Sequence, residues 1–242
     1  MRSHHCTQTR DKTAPKVPRA ILKDFSRDAF SSGFALCPAH GFGVFIRSQP
    51  AAVVKFKLPL VPDRLPFSVF TPAEFPSVFE PGEGQAACTT PTSVLDPFLI
   101  VTHASRHYTH IINMRTKERV GSVIVRCALK RPGLVASQGC WTAICFGGNG
   151  DKVALFEGAE NCWHQKRTID AFRGYRTAIT AIALDARGEH LAMLRQSSTV
   201  VRQFEVLTGA QLPFLNVPSG FPSDCAYGKD TLMVACHAST NV

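Results

Sequence analysis

The sequence has no apolar run approaching the roughly 20 residues that a helix needs to cross a bilayer, so any membrane contact is expected to be peripheral. It has no long stretch with helical amphipathic spacing either. Acidic residues are scarce, 18 Asp and Glu against 27 Lys and Arg, and neither a pair of carboxylates nor a nucleophile elbow stands out. The glycine-rich "FGGNGDK" lacks the G-x-x-x-x-G-K-[ST] spacing of a phosphate loop and reads as a tight turn between strands. Nine cysteines are present but no C-x-x-C pair, which speaks against a zinc site. These absences argue against an enzyme, and no cofactor is expected.

The cysteines fall at irregular spacings and no signal peptide precedes them, so reduced thiols in the cytosol are expected rather than a disulfide framework. Residues 1 to about 20 are polar and basic, cannot bury much apolar area, and are expected to form a disordered tail. A mitochondrial presequence fits less well, because Asp11 and the prolines spoil an amphipathic helix.

Net charge is +9 with a pI near 9.3, a field that attracts phosphate-bearing partners or simply keeps the chain soluble. Arg115, Lys117, Arg119, Lys130 and Arg131 gather in the turns "RTKERV" and "LKRPG". No aromatic residues interleave with them for base stacking, so no nucleic-acid partner is expected.

Short apolar runs that alternate with period two recur between Gly, Pro, Asn and Asp. They predict strands at 32–38, 41–47, 51–58, 97–103, 108–114, 133–137, 152–158, 178–184, 190–194, 199–206 and 231–237, and hence an all-β chain. The stretch 59–92 is proline-rich with poor periodicity and reads as a long loop or an eroded blade.

"AITAIALDARGEHLAMLRQSSTVVRQFEVLTGAQL" contains a strand, an Asp-Ala-Arg-Gly turn, a strand, a polar turn, a strand and a Thr-Gly turn. "FLIVTHASRHYTHIINMRTKERVGSVIV" and "SGFALCPAHGFGVFIRSQPAAVVKFKL" echo that order. One such sheet cannot bury both its faces, whereas sheets stacked around an axis can. The expectation is a single β-propeller domain of WD-repeat type over residues 21–242. About 40 residues per blade gives five or six blades, partly degenerate and incomplete.

Those stretches resemble the phosphoinositide-binding propellers of autophagy, the PROPPIN or WIPI family. "GFALCPAHGFGVFIRSQP" is similar to that family's first blade, and the stretch from Ala178 to Leu212 matches one of its later blades without a gap. About one blade's worth of the family's sequence is missing between Ser137 and Trp141. The resemblance implies a scaffold recruited to membranes carrying phosphatidylinositol 3-phosphate or 3,5-bisphosphate. It implies other autophagy or trafficking proteins as partners, and a cytoplasmic location, peripheral on autophagosomal, endosomal or vacuolar membranes.

In that family the blade ends in "FRRG", whose two arginines each anchor a lipid head group, because a guanidinium binds phosphate through a bidentate fork. Here the corresponding run is "FLNVPSG": Phe214 remains, but Leu215 and Asn216 stand where the arginines would be. Phe172 replaces the family's histidine, while Thr199 and Thr240 persist. Arg173, Arg195, Thr199, Arg202 and Thr240 are therefore the candidate lipid-binding residues, and weak or absent direct lipid binding is expected. The alternative is a generic WD-repeat interaction module without a lipid role.

Other constellations are weaker. His107 and His110 are three apart on a strand and face opposite ways, so they do not share a metal with His103. Cys140, Cys145 and Cys162 read as buried apolar thiols; a Cys–His nucleophile with His164 is the alternative, favoured by residue identity alone. The terminal "STNV" has the form that PDZ grooves accept. An edge left open at residues 231–242 would favour oligomerisation or instability.

Overall fold

The computed structural model describes residues 33–37, 40–48, 51–58, 67–71, 73–74, 84–89, 97–103, 108–124, 134–146, 151–159, 162–170, 172, 178–195, 198–217, 221–228 and 231–237. They form strands and turns in five antiparallel sheets. The first is β1 (Gly33–Cys37), β2 (Phe42–Ser48), β3 (Ala51–Lys57) and β4 (Phe67–Phe70), and the second is β5 (Gly84–Thr89), β6 (Phe98–His103), β7 (Tyr108–Asn113) and β8 (Arg119–Ile124). The third is β9 (Val135–Gln138), β10 (Trp141–Phe146), β11 (Lys152–Ala159) and β12 (Cys162–Ile169). The fourth is β13 (Ile179–Leu184), β14 (His190–Arg195), β15 (Val200–Glu205) and β16 (Leu215–Asn216), followed by β17 (Phe221–Tyr227) and β18 (Leu232–His237).

Within each sheet the strands lie in chain order, and the first strand of each sheet packs against the first of the next: β1 on β5, β5 on β9, β9 on β13 and β13 on β17. Consecutive meanders joined at their innermost strands make a radial array, the arrangement of propeller blades.

The core is divided into seams, because alternate side chains of one strand serve two neighbours. On β11, Val153 and Leu155 point to the seam with the fourth sheet, while Ala154 and Phe156 point to the seam with the second. Val44, Ile46 and Val53 meet Leu99, Val101 and Ile112 between the first two sheets. Ala192, Leu194 and Val201 meet Cys225 and Val234 between the fourth and the fifth. Each fully buried Leu, Ile or Phe contributes about 1.5–3 kcal/mol.

Burial on both faces explains why β10, "WTAICF", shows no alternation and was not among the expected strands. The outer strand β12, "CWHQKRTI", is exposed over most of its length and carries the opposite signal, polarity without period. A bulge where Leu155 and Phe156 meet Arg167 and Gln165 shifts its phase. Trp163 thereby packs into the seam with the second sheet, edge-on to Phe98 at 5.1 Å, and Ile169 into the seam with the fourth.

The stretch 59–92, expected as a long loop or an eroded blade, supplies β4 and β5, the outer strand of one sheet and the inner strand of the next. Ser137 and Trp141 lie within one sheet, where β9 and β10 are paired neighbours joined by a tight turn at Gly139, whose φ is 55°. Of the five or six expected blades, four have four strands and the fifth has two among the described residues. The N-terminal tail and "STNV" lie outside the described residues.

Candidate functional site

The connection from β12 to β13 carries Phe172, 2% exposed and packed into the seam between the third and fourth sheets. Arg195, the last residue of β14, follows Leu191 and Met193 on the same face. Arg202 lies opposite Met193 on β15, on the face that sends Phe204 into that seam. Both arginines reach Phe172: the Cζ of Arg202 is 4.8 Å from its ring centroid and the Cζ of Arg195 is 5.6 Å away. These are cation–π distances, and the seam keeps both side chains half-buried, which strengthens such contacts. Beside them β13 bulges at Thr180, between Ile179 opposite Arg195 and Ala181 opposite Leu194. The Thr180 hydroxyl is buried and has no hydrogen-bond partner among the described residues.

The structure therefore brings together two of the five candidate residues. Thr199 stands exposed in the β14–β15 turn, where Ser198 Oγ accepts from the Val200 amide at 3.2 Å. Arg173 and Thr240 lie outside the described residues. Sequence reasoning took Phe172 only for a lost histidine, whereas it is the platform on which the two cations meet. Its visible signal was a large apolar side chain in a connection rich in arginine.

Leu215 and Asn216 form the short outer strand β16, paired with Val201 and Val200. Both are exposed, and Phe214 beside them is 56% exposed. Leu215 and Asn216 thus present an isobutyl group and an amide to solvent.

No sequence family matches the chain, and no curated protein matches it. Among solved structures, the β-propeller domain of Swd1 (Cps50) from Myceliophteria thermophila matches with a TM-score of 0.59 at 12% identity, over 81% of this chain. The chain has a β-propeller fold. It spans 63% of the Swd1 chain, less than two thirds of its length.

In this propeller the turn at the opposite end of the fourth sheet holds a second polar cluster, which the sequence did not reveal. Ligand atoms of Asp185, Glu189 and His190 lie within 4.8 Å of one another. The Asp185 carboxylate accepts from the Glu189 amide at 2.7 Å and the His190 amide at 3.2 Å, and its second oxygen lies 2.8 Å from His190 Nδ1. Those bonds fix the turn. Gly188 at φ 71° closes it beneath Trp141, where a Cβ would lie 2.9 Å from Cδ1 of the indole.

The cysteines divide by exposure. Cys145 and Cys225 are buried, and burial, reinforced by the nearby Asp224 charge, pushes the Cys225 thiol up to about 12. Cys140 is half-buried and raised chiefly by desolvation, then by Glu157. Cys162, expected to be buried, is exposed, because β12 is an outermost strand. His110 is fully buried in β7, with Nδ1 3.3 Å from Ser122 Oγ, so it is a core residue. Arg115 and Lys117 occupy the β7–β8 turn, where Lys117 Nζ donates to Glu74 at 2.7 Å and lies 4.5 Å from the centroid of Phe70. Among the described residues no helix is long and apolar enough to cross a membrane.

Proposed function

We propose that this propeller is a non-enzymatic scaffold that presents its blade edges and turns to protein partners, with direct phosphoinositide recognition weak or lost. The observation that carries this reading is β16, where exposed Leu215 and Asn216 occupy the places in which the resembling autophagy propellers hold adjacent arginines. Without a paired guanidinium fork the site forfeits its charge-assisted hydrogen bonds to a head group. Partners among autophagy or trafficking proteins, and peripheral placement of a cytoplasmic protein on autophagosomal, endosomal or vacuolar membranes, follow from that resemblance. Liposome flotation with and without phosphatidylinositol 3-phosphate tests the reading: no lipid-dependent flotation is expected, and strong, lipid-specific, salt-sensitive flotation would overturn it.

A second reading is a general WD-repeat interaction module unrelated to membranes, favoured by the likeness to the Swd1 propeller. Affinity capture separates the two. Autophagy or trafficking partners support the first reading, and partners from unrelated complexes support the second.

A further inference from the structure

We infer that the cleft between β16 and the outer edge of β18 is a docking site for an extended peptide segment of a protein partner, bound as an added strand. The inference rests on the scaffold reading and gives it a surface. Gly228 N donates to Thr231 O at 2.7 Å, so the Thr231 carbonyl points toward β17. Along an antiparallel strand successive residues turn their amide and carbonyl groups to opposite edges. Those of Met233 and Ala235 therefore face β17, where Ala235 O also accepts from Ser223 Oγ at 3.2 Å, and those of Leu232, Val234 and Cys236 face outward. No described strand pairs with that edge.

An open edge of this kind is usually blunted. The other outermost strands follow that rule: β4 has four residues, β16 has two, β8 opens on Arg119 and pairs through a bulge, and β12 carries Lys166 and Arg167. β18 has six residues, "LMVACH", with neither proline nor Lys, Arg, Asp or Glu. The fourth sheet supplies a floor beside it. β17 packs on β13 and β14, and Val234 of β18 meets Val201 of β15, so the place next outward from β18 lies over β16. Leu215 pairs with Val201 and shares its face, as does Val217 two residues on. Val201 is fully buried, whereas Leu215 is 45% exposed on that same face.

These features choose the occupant. A strand laid antiparallel against β18 exchanges hydrogen bonds at the residues opposite Leu232, Val234 and Cys236, and those residues turn their side chains toward Leu215 and Val217. In the partner they are apolar. The residues between them face solvent, where the net charge of +9 favours acidic side chains. The partner segment thus alternates apolar and acidic residues, held by main-chain bonds along the edge and selected by every second side chain.

The test is fluorescence anisotropy of a labelled peptide of alternating valine and glutamate, titrated with the full chain. One control peptide has the same composition with the alternation scrambled. Another is N-methylated at its valines, which removes the amides that bond to β18. Both are expected to bind about tenfold more weakly or worse. In the protein, Leu215→Gln takes apolar area from the floor, and Cys236→Pro removes an outward amide while leaving the bonds to β17 in place. Each is expected to weaken binding about tenfold, whereas Leu207→Gln, in the turn after β15 and 66% exposed, is expected to change it little. Thermal melts check that the variants fold, and Leu215→Gln, at an exposed position, stands as the test should Cys236→Pro unfold. Equal binding of the three peptides, equal losses in Leu215→Gln and Leu207→Gln, or no binding by the parent chain overturns the site. Self-association of the parent chain that the peptide does not reverse overturns it too, since a second copy would then hold the edge. If partners are still captured from cells while the alternating peptide is ignored, the scaffold reading stands and this site alone falls.

Discussion

Gly158 on β11 lies directly beneath Trp163 on β12: a Cβ added to the glycine would sit 2.5 Å from Cε2 of the indole. The indole fills that hollow and meets Phe98 across the seam, so the absence of one side chain seats another and joins two blades.

Gly158→Ala is expected to destabilise the fold by about 1–3 kcal/mol, the usual cost of overpacking. The obstacle is a rigid ring in a packed seam and cannot swing aside. Urea unfolding measures the loss, and adding Trp163→Leu is expected to recover part of it by vacating the space.

Phe172→Ala removes a ring that is 2% exposed and strips both arginines of their platform. A loss of about 3–5 kcal/mol is expected from the cavity. Phe172→Leu keeps most of the apolar volume but not the π face, so it is expected to cost less stability than Phe172→Ala.

Cys225 is expected to resist thiol reagents at pH 8 while exposed Cys162 and Cys236 react, because burial disfavours the thiolate. The same shift links stability to pH. The folded thiol titrates at about 12, above its ordinary value of 9.0, so the folded state holds the proton longer than the unfolded chain. This contribution is complete below pH 9 and is lost as pH rises from 9 toward 12. Alkaline unfolding monitored by circular dichroism is expected to shift to higher pH in Cys225→Ala, provided the smaller side chain keeps the seam closed.

Asp185→Ala leaves the amides of Glu189 and His190 without their acceptor. About 1–3 kcal/mol of destabilisation is expected, because the lost carboxylate was fixing the turn. A chelator is expected to leave the melting temperature of the parent chain unchanged; a large drop would show that the cluster binds a metal instead.

Strands bounded by clear turn residues announced themselves. In β2 and β14 the apolar runs matched the strands to within a residue, since turn residues mark their ends even where, as in β14, both faces are buried. β10, buried on both faces, and β12, largely exposed, carried no period to read. β4 and β5 were hidden by the prolines around them. The arginines of the seam were visible as residue types, but nothing in their spacing tied them to Phe172.

The sequence by itself determined the all-β class and the repeated meander, because hydrophobic period and turn chemistry are local properties. It also determined that Leu215 and Asn216, rather than arginines, follow Phe214, which is a matter of residue identity alone. Only the tertiary structure decided that Arg195 and Arg202, seven positions apart on neighbouring strands, share one ring with a phenylalanine from the preceding connection. That meeting depends on how two sheets face each other, and the packing of one blade on the next is set by side chains far apart in the chain.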